Sequence, residues 1–292
     1  MAKPVILLTG KTGQVGWELQ RTLASLGRVR AMDSDELNLA KPDVIRAVIA
    51  DIKPNIIINA AAYTAVDQAE SEPDMAMAIN GVAPGIFAEE AKKINARLVH
   101  YSTDYVFDGS KPSPYVETDA PAPLNMYGRS KLEGERAIAA VDGDYLILRT
   151  SWVYGARGKN FLLTMLRLAK ERNELKIVED QHGAPTWSRM IAEVTALILA
   201  KRLSELPEYK GLYHLSAAGK TSWHGFALRI FENAKLLPPH TALQVMPINT
   251  DAYPTPAMRP KNSLLNNAKL TTAFGLALPD WQDALDLCME GS

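Results

Sequence analysis

The stretch Val5-Ile-Leu-Leu-Thr9-Gly10-Lys-Thr-Gly13-Gln-Val-Gly16 decides the fold. Its first five residues form a short apolar run, which predicts a strand buried on both faces. Glycines follow at the spacing G-x-x-G-x-x-G, and the sequence from Gln14 to Leu26 predicts a helix that ends at Gly27. A strand, a glycine loop and a helix in this order favour a dinucleotide-binding unit.

The glycine loop has the composition that a bound pyrophosphate requires. Such a group needs backbone N–H donors, the N-terminus of a helix and close approach without a Cβ. A tight turn whose glycines serve only packing is the alternative, and the position of the loop after the first strand favours phosphate binding. Gly10-Lys11-Thr12 also resembles the end of a P-loop. Val5 stands where that motif needs a glycine, so we exclude a nucleotide triphosphatase.

Strand and helix patterns alternate through the first half of the chain and loosen after Trp152. Further strands are predicted at 28–32, 56–58, 97–101, 145–148, 176–178 and 213–215, and further helices at 42–52, 73–95, 124–140, 160–172, 187–201 and 222–236. The three prolines of 253–260 predict an extended loop.

This order predicts an α/β protein with a Rossmann-like, doubly wound parallel sheet and a smaller mixed α/β C-terminal substrate domain. We expect an NAD(P)-binding domain over residues 1–150, with later segments woven into it, and a mainly substrate-binding domain over 151–292.

Composition narrows the class of protein. The chain has 292 residues, of which 47% are hydrophobic and 22% are charged, values typical of a folded protein with a sizeable core. A net charge of -1 indicates neither a nucleic-acid partner nor an anionic membrane. The apolar stretch 190–200 contains Glu193 and is too short to span a bilayer. A single cysteine, Cys288, and an N-terminus unlike a signal peptide predict a cytoplasmic protein.

Asp33 ends the second predicted strand, where a carboxylate commonly accepts hydrogen bonds from the adenosine ribose. A role in the turn that follows is an equally good interpretation. The carboxylate favours NAD over NADP, whereas Lys11, Arg28 and Arg30 would offset its repulsion of a 2′-phosphate. The sequence therefore leaves both NADH and NADPH open.

Tyr127 and Lys131 are four residues apart on a predicted helix and share one of its faces. A neighbouring ammonium stabilises a phenolate and moves the pKa of the tyrosine toward neutrality, where it can exchange protons. Ser102 or Thr103, at the end of the fourth strand, supplies a hydroxyl to orient a carbonyl. A turn cap for Thr103 and a surface role for Tyr127 are the alternatives. The glycine loop, the hydroxyl and the Tyr-Lys pair together favour an oxidoreductase.

These features resemble the extended short-chain dehydrogenase/reductase superfamily and, more narrowly, the dTDP-4-dehydrorhamnose reductase family. The resemblance runs from GKTGQVGWELQ at 10–20 to the more specific YPTPAMRPKNSLL at 253–265. It implies reduction of the C4 keto group of dTDP-4-dehydro-L-rhamnose to dTDP-L-rhamnose, with NADPH or NADH as the coenzyme and a dTDP-sugar as the partner. The alternatives are another nucleotide-sugar reductase or epimerase, and a non-catalytic subunit resembling the methionine adenosyltransferase β subunit.

The resemblance also implies a role for each site residue. Tyr127 would protonate the C4 oxygen, Lys131 would hold the nicotinamide ribose and tune Tyr127, and Thr103 would hydrogen-bond the carbonyl. The residues implied at the coenzyme are Gly10, Gly13, Gln14, Val15, Gly16, Asp33, Asn38, Leu39, Ala62, Tyr63, Thr64, Tyr127 and Lys131. Those implied at the sugar nucleotide are Thr103, Asp104, Trp152, Arg259 and Asn262.

Two positions depart from the family pattern. Asn38 stands where relatives often carry an aspartate, which alters an adenine-side contact. Arg189 stands where some relatives have a glutamate that helps to bind Mg²⁺ between subunits. Because a guanidinium offers no lone pair and repels a cation, we expect no metal site. The expected assembly is a monomer or a homodimer that no metal bridges.

Overall fold

The computed structural model of the protein describes residues 3–202, 206–237 and 243–290. The strands are β1 (Val5–Thr9), β2 (Arg28–Met32), β3 (Ile56–Asn59), β4 (Arg97–Thr103), β5 (Tyr145–Thr150), β6 (Val153–Tyr154), β7 (Glu174–Val178), β8 (His182–Gly183), β9 (Thr186–Trp187), β10 (Gly211–His214), β11 (Thr221–Ser222) and β12 (Gln244–Ile248). The α-helices are α1 (Gln14–Thr22), α2 (Pro42–Ile52), α3 (Pro73–Met77), α4 (Ala83–Lys93), α5 (Met126–Val141), α6 (Phe161–Glu171), α7 (Ser188–Arg202), α8 (Trp223–Asn233), α9 (Ala268–Phe274) and α10 (Trp281–Glu290).

Six parallel strands form the central sheet in the order β10-β5-β4-β3-β1-β2. The chain winds outward from β1 in both directions, which confirms the predicted doubly wound sheet. The last strand on one side, β10, comes from residues 211–214, so a segment of the second half completes the sheet of the first.

Helices cover both faces of this sheet. Ile6 and Leu8 of β1 pack with α1, α7 and α9 on one face, whereas Leu7 packs with α2, α4 and α5 on the other. All three side chains are fully buried. Burial on both faces explains why β1 is a continuous apolar run rather than an alternating one.

The stretch from Pro73 to Asn95 is not the single α-helix that the sequence pattern predicts. A π-helical turn over Ala78–Val82 separates α3 from α4. Pro84 follows this turn and has no N–H to donate to the preceding turn, and a wider turn at that point accommodates it. The first helix is also shorter than predicted, because α1 ends at Thr22 and turns follow it.

The second half of the chain has a core of its own, formed by α6, α8 and α10 with the parallel pair β7 and β12. The sequence pattern did not indicate α10 or β12. Residues 253–260 lie outside helices and strands, as their prolines predict. Across the described ranges, every helix is too short or too polar to cross a bilayer.

Candidate active site

The glycine loop lies at the carboxyl end of β1 and packs directly against the end of β3. Gly10 has a φ of +72°, and a Cβ there would stand 2.9 Å from the backbone nitrogen of Ala61. A Cβ on Gly16 would lie 2.0 Å from the Gly10 carbonyl oxygen. Gly13 is the N-cap of α1, with an extended backbone and no side chain over the helix end. The loop therefore leaves the N-terminus of α1 open to an anion.

The two residues after Gly13 have different surroundings. Gln14 accepts a hydrogen bond from Asn160 Nδ2 at 2.9 Å, which ties the loop to the residue that caps α6. Val15 packs against the core on the α1 face of the sheet. The Gln14 amide, which also donates to the Val153 carbonyl at 3.4 Å, is thus engaged within the protein, whereas the Val15 side chain is directed to the core.

Asp33 is joined to the glycine loop by a lysine. Lys11 Nζ lies 3.1 Å from Asp33 Oδ2 and also contacts Glu36. Hydrogen bonding from Lys11 holds the pKa of Asp33 below its ordinary value. Asp33 Oδ1 also accepts a hydrogen bond from the backbone of Asp35 at 3.1 Å. Asp33 therefore stabilises the turn that follows β2. Lys11, one of the cations expected near Asp33, forms an ion pair with its carboxylate.

The remaining residues implied at the coenzyme lie on two loops at this edge. Asn38 caps its own turn by accepting from the Ala40 N–H at 2.9 Å, and the Leu39 side chain is buried in the core. Ala62, Tyr63 and Thr64 lie on the loop after β3.

Asn80, which the sequence analysis missed, holds the loop after β3 in place. Its side chain accepts from the Tyr63 N–H at 2.9 Å and donates to the Tyr63 carbonyl at 3.0 Å. Asn80 lies in the π-helical turn and also donates to Ser130 Oγ on α5 at 3.1 Å. The proline four residues later was the available signal that this helix is irregular.

The structure brings Thr103 and Tyr127 together at the end of β4. Burial raises the pKa of Tyr127 to about 12, and hydrogen bonding with Thr103 acts in the opposite direction. Thr103 Oγ1 donates to Asp104 Oδ1 at 3.0 Å and accepts from the Tyr105 N–H at 3.2 Å. Ser102, the alternative hydroxyl, has no hydrogen-bond partner among the described residues. Thr103 is therefore the hydroxyl that meets the phenol.

Lys131, one helical turn along α5 from Tyr127, is also buried. Its Nζ donates to the Tyr101 carbonyl oxygen at 2.5 Å and lies 3.3 Å from His100 Nε2. Burial lowers the pKa of Lys131 to about 8, against an opposing effect of Glu135. The sequence predicts that Lys131 lowers the pKa of Tyr127. In the structure the pKa of Tyr127 is raised by burial instead.

Asp104 is a buried carboxyl group close enough to Tyr127 to act on the pKa of the phenol. Burial raises its pKa to about 6, while hydrogen bonds from Ser263, Thr103 and Ser151 oppose that effect. The Ser151 hydroxyl donates to Asp104 Oδ2 at 3.0 Å. The negative charge of Asp104 in turn raises the pKa of Tyr127. The Asp104 charge therefore helps to keep the phenol protonated at neutral pH.

The residues implied at the sugar nucleotide separate into two groups. Arg259 forms an ion pair with Asp67 at 2.9 Å and hydrogen-bonds with Tyr105, whose ring meets that of Tyr127 edge to face at 5.7 Å between centroids. Arg259 is therefore near the phenol. Asn262 instead donates to the Lys111 carbonyl at 2.7 Å, so its amide already binds a neighbouring loop.

Three further residues shape this side of the site and were not predicted. Trp223 stacks on Trp152 with 3.5 Å between ring centroids. Asn125 caps α5 by accepting from the Gly128 N–H at 2.8 Å, and donates to the Met258 carbonyl at 2.7 Å. Asp67 holds Arg259. These residues were not predicted because Trp223 and Asp67 contact residues far away in the sequence. The cap formed by Asn125 is a local contact that the apolar pattern does not show.

Arg189 lies on the exposed side of α7. Its Nε is 2.9 Å from Glu193 Oε1, one helical turn along. Among the described residues, no group of three or more His, Cys, Asp or Glu side chains is arranged to hold a metal ion.

Comparison with known proteins places this chain in a family. The model of the family described as "RmlD substrate binding domain" matches residues 4–292. The chain is 53% identical over 290 residues to a dTDP-4-dehydrorhamnose reductase of Burkholderia thailandensis, covering 97% of each chain. It is 49% identical over 282 residues to the enzyme of that name from Escherichia coli K12, covering 95% of this chain and 94% of the relative.

A solved structure agrees with these relatives. The dTDP-4-dehydrorhamnose reductase of Bacillus anthracis, in complex with NADP, superposes with a TM-score of 0.91 at 36% identity, over 99% of this chain and 100% of that one. The match to the family model and the full-length identities show that this chain belongs to the dTDP-4-dehydrorhamnose reductase family.

Proposed function

We propose that this protein reduces the C4 keto group of dTDP-4-dehydro-L-rhamnose to give dTDP-L-rhamnose. A hydride from NADPH or NADH adds to C4, and Tyr127 gives its proton to the C4 oxygen. The observation that carries the proposal is the contact of Thr103 with Tyr127 at the same sheet edge as the glycine loop. The 53% identical relative of the same name supports the choice of substrate.

The chain's own residues supply binding, orientation and the proton. The open N-terminus of α1 suits the coenzyme pyrophosphate, and the bound coenzyme supplies the hydride. The Thr103 hydroxyl, which donates to Asp104 at 3.0 Å, would turn to the carbonyl oxygen and orient it toward Tyr127. Arg259 suits a diphosphate because a guanidinium pairs with two oxygens at once. Its ion pair with Asp67 must then yield to the substrate or share the guanidinium with it.

The proposal extends to the setting of the reaction. The relatives' shared name supports a dTDP-sugar reductase over an epimerase or a regulatory subunit. The lone cysteine supports a reducing compartment, and we propose the cytoplasm. The proposed assembly is a monomer or a homodimer without a metal bridge.

A turnover assay tests the proposal. Oxidation of NADPH and of NADH is followed at 340 nm, a general absorbance of reduced nicotinamide, as dTDP-4-dehydro-L-rhamnose is added. Parallel reactions contain the UDP analogue or a different 4-keto sugar. Rapid oxidation with the named substrate and identification of dTDP-L-rhamnose as the product support the proposal. No oxidation with any 4-keto sugar would leave a non-catalytic role, and faster turnover of another sugar would change the substrate.

A further inference from the structure

A buried row of polar side chains crosses the central sheet from β1 to β4. Thr9, Asn59 and His100 are paired in register on β1, β3 and β4, so their side chains point to the same face. Each is only 1% exposed. The row ends at Lys131, on the helix that carries Tyr127. Buried polar groups in such a row must all find partners, so each fixes the orientation of the next.

The direction of the hydrogen bonds can be followed from the backbone. The Ala61 N–H donates to Thr9 Oγ1 at 3.1 Å, and the Thr9 hydroxyl donates to Asn59 Oδ1 at 2.8 Å. Asn59 Nδ2 then faces His100 Nδ1 at 3.1 Å. An amide nitrogen can only donate, so His100 Nδ1 accepts and its single proton lies on Nε2. Burial keeps the imidazole neutral, because it holds the pKa of His100 well below its ordinary value.

This tautomer has a consequence for Lys131. His100 Nε2 lies 3.3 Å from Lys131 Nζ, and Nζ already donates to the Tyr101 carbonyl. An ammonium has three donors and no lone pair, so it would face the imidazole N–H as donor to donor. A neutral amine would instead accept that N–H and still donate to Tyr101.

We propose that His100 is a positioning residue that acts through Lys131: the row presents an imidazole N–H, not a lone pair, to the lysine and disfavours its ammonium form. The inference deepens the proposed function, on which it rests, since it gives Lys131 a charge that changes near neutral pH. That charge matters for the proposed hold of Lys131 on the coenzyme ribose, because an ammonium has three hydrogen-bond donors and a neutral amine has two.

The other groups around Lys131 do not account for this contact. Burial is the largest influence on the lysine and also disfavours the charge. Glu135, one turn along α5, favours the ammonium, but its carboxylate is engaged by Arg149 of β5 at 2.8 and 2.6 Å. Tyr127 is the remaining titratable neighbour on α5, and burial keeps it neutral. His100 is thus the group whose proton position decides the hydrogen bonding of Nζ.

Nitrogen NMR of the imidazole tests the tautomer without reference to activity. In ¹⁵N-histidine-labelled protein, the signal of His100 is identified by its loss in His100→Gln. We expect the Nε2–H tautomer, unchanged between pH 6 and pH 9. An Nδ1–H tautomer, or a His100 ring that titrates in this range, overturns the proposal.

The pH dependence of coenzyme binding tests the consequence. NADH is the probe, since it lacks a titrating 2′-phosphate. Its affinity should fall as pH rises through about 8, as Lys131 loses its charge. Thr9→Val removes the donor that orients Asn59, so the amide can rotate and His100 can offer a lone pair. We expect the midpoint to rise by about one pH unit.

Thr195→Val is the matched control, because it removes the buried hydrogen bond between Thr195 and Tyr101 at 2.8 Å on the other face of β4. Its midpoint should equal that of the wild type, and an equal midpoint in Thr9→Val overturns the proposal. Lys131→Met separates this inference from the proposed function. If Lys131→Met leaves the affinity for NADH unchanged, the proposed contact of Lys131 with the coenzyme is wrong. The NMR result alone then decides the tautomer of His100.

Discussion

Trp152 stacks face to face on Trp223, with ring centroids 3.5 Å apart and planes 5° from parallel. Trp152 follows β5 with a φ of +46°, and Trp223 begins α8. A bulky residue with a positive φ is uncommon, so a strong contact must hold Trp152 in this conformation. The stack therefore joins the end of the sheet to the second half of the chain at the point where the sugar is proposed to bind.

Loss of the stack should weaken sugar-nucleotide binding. An aromatic pair contributes about 0.5–1.5 kcal/mol beyond its buried area, so we expect Trp223→Ala to raise KM by about 2- to 12-fold. The dissociation constant of NADPH should not change. Steady-state kinetics and fluorescence titration measure the two quantities. Trp223→Phe keeps a ring in place and is the matched control. Equal KM values for Trp223→Ala and the wild type would show that the stacked position of Trp152 does not contribute to sugar-nucleotide binding.

Tyr127→Phe should remove the proton donor and little else. Because the phenol is buried against Thr103, we expect kcat to fall by about 10²–10⁴ while coenzyme binding and the melting temperature stay close to wild type. Tyr253→Phe, at an exposed position in the proline-rich loop, is the control and should retain full turnover. A kcat close to the wild-type value in Tyr127→Phe would show that Tyr127 is not the proton donor.

Asp104 predicts an acid limb in the pH profile. Its pKa is raised to about 6, so the carboxyl takes up a proton below that pH and can no longer accept from both Thr103 and Ser151. We expect kcat to fall as pH drops through about 6, and the limb to disappear in Asp104→Asn at a uniformly lower rate. Since the folded pKa lies above the ordinary 3.8, this group destabilises the fold as pH rises from about 4 to about 6. A profile flat down to pH 5 contradicts the prediction.

The coenzyme preference should depend on Asp33 through Lys11. Removing the carboxylate in Asp33→Ala takes away a repulsive charge and one of the two partners of Lys11 Nζ, 3.1 Å away, so the ammonium, still paired with Glu36, can also donate to a 2′-phosphate. A charge-assisted hydrogen bond contributes about 1.5–3 kcal/mol, so the kcat/KM ratio of NADPH to NADH should rise at least about tenfold. Asp35→Ala, a neighbouring carboxylate, is the control. An unchanged ratio in Asp33→Ala would show that this residue does not face the ribose.

Features encoded in short stretches could be predicted from the sequence. The glycine loop and the Tyr127–Lys131 pair need only a strand end or one helix face, and the parallel sheet follows from the alternation of apolar runs. The partners of Trp152 and Arg259 could not be predicted, because Trp223 is 71 positions away and Asp67 is 192. The orientation of His100 likewise depends on two other strands, which no local pattern describes.

Arg189 carries the last prediction, which concerns metal and assembly. Its guanidinium pairs with Glu193 on an exposed helix face, and the resemblance puts Arg189 where some relatives have a glutamate that helps to bind Mg²⁺. Mg²⁺ needs oxygen ligands, and here a fixed cation repels it while engaging the nearest carboxylate. We expect EDTA and added Mg²⁺ to leave both kcat and the mass measured by light scattering unchanged. Arg189→Glu is the matched variant, since it places two carboxylates one turn apart and gives Mg²⁺ a site to bind. The prediction is wrong if EDTA abolishes the activity of the wild-type enzyme and dissociates a dimer, and if Mg²⁺ restores both. A dimer whose mass does not change in EDTA supports assembly through a surface without metal.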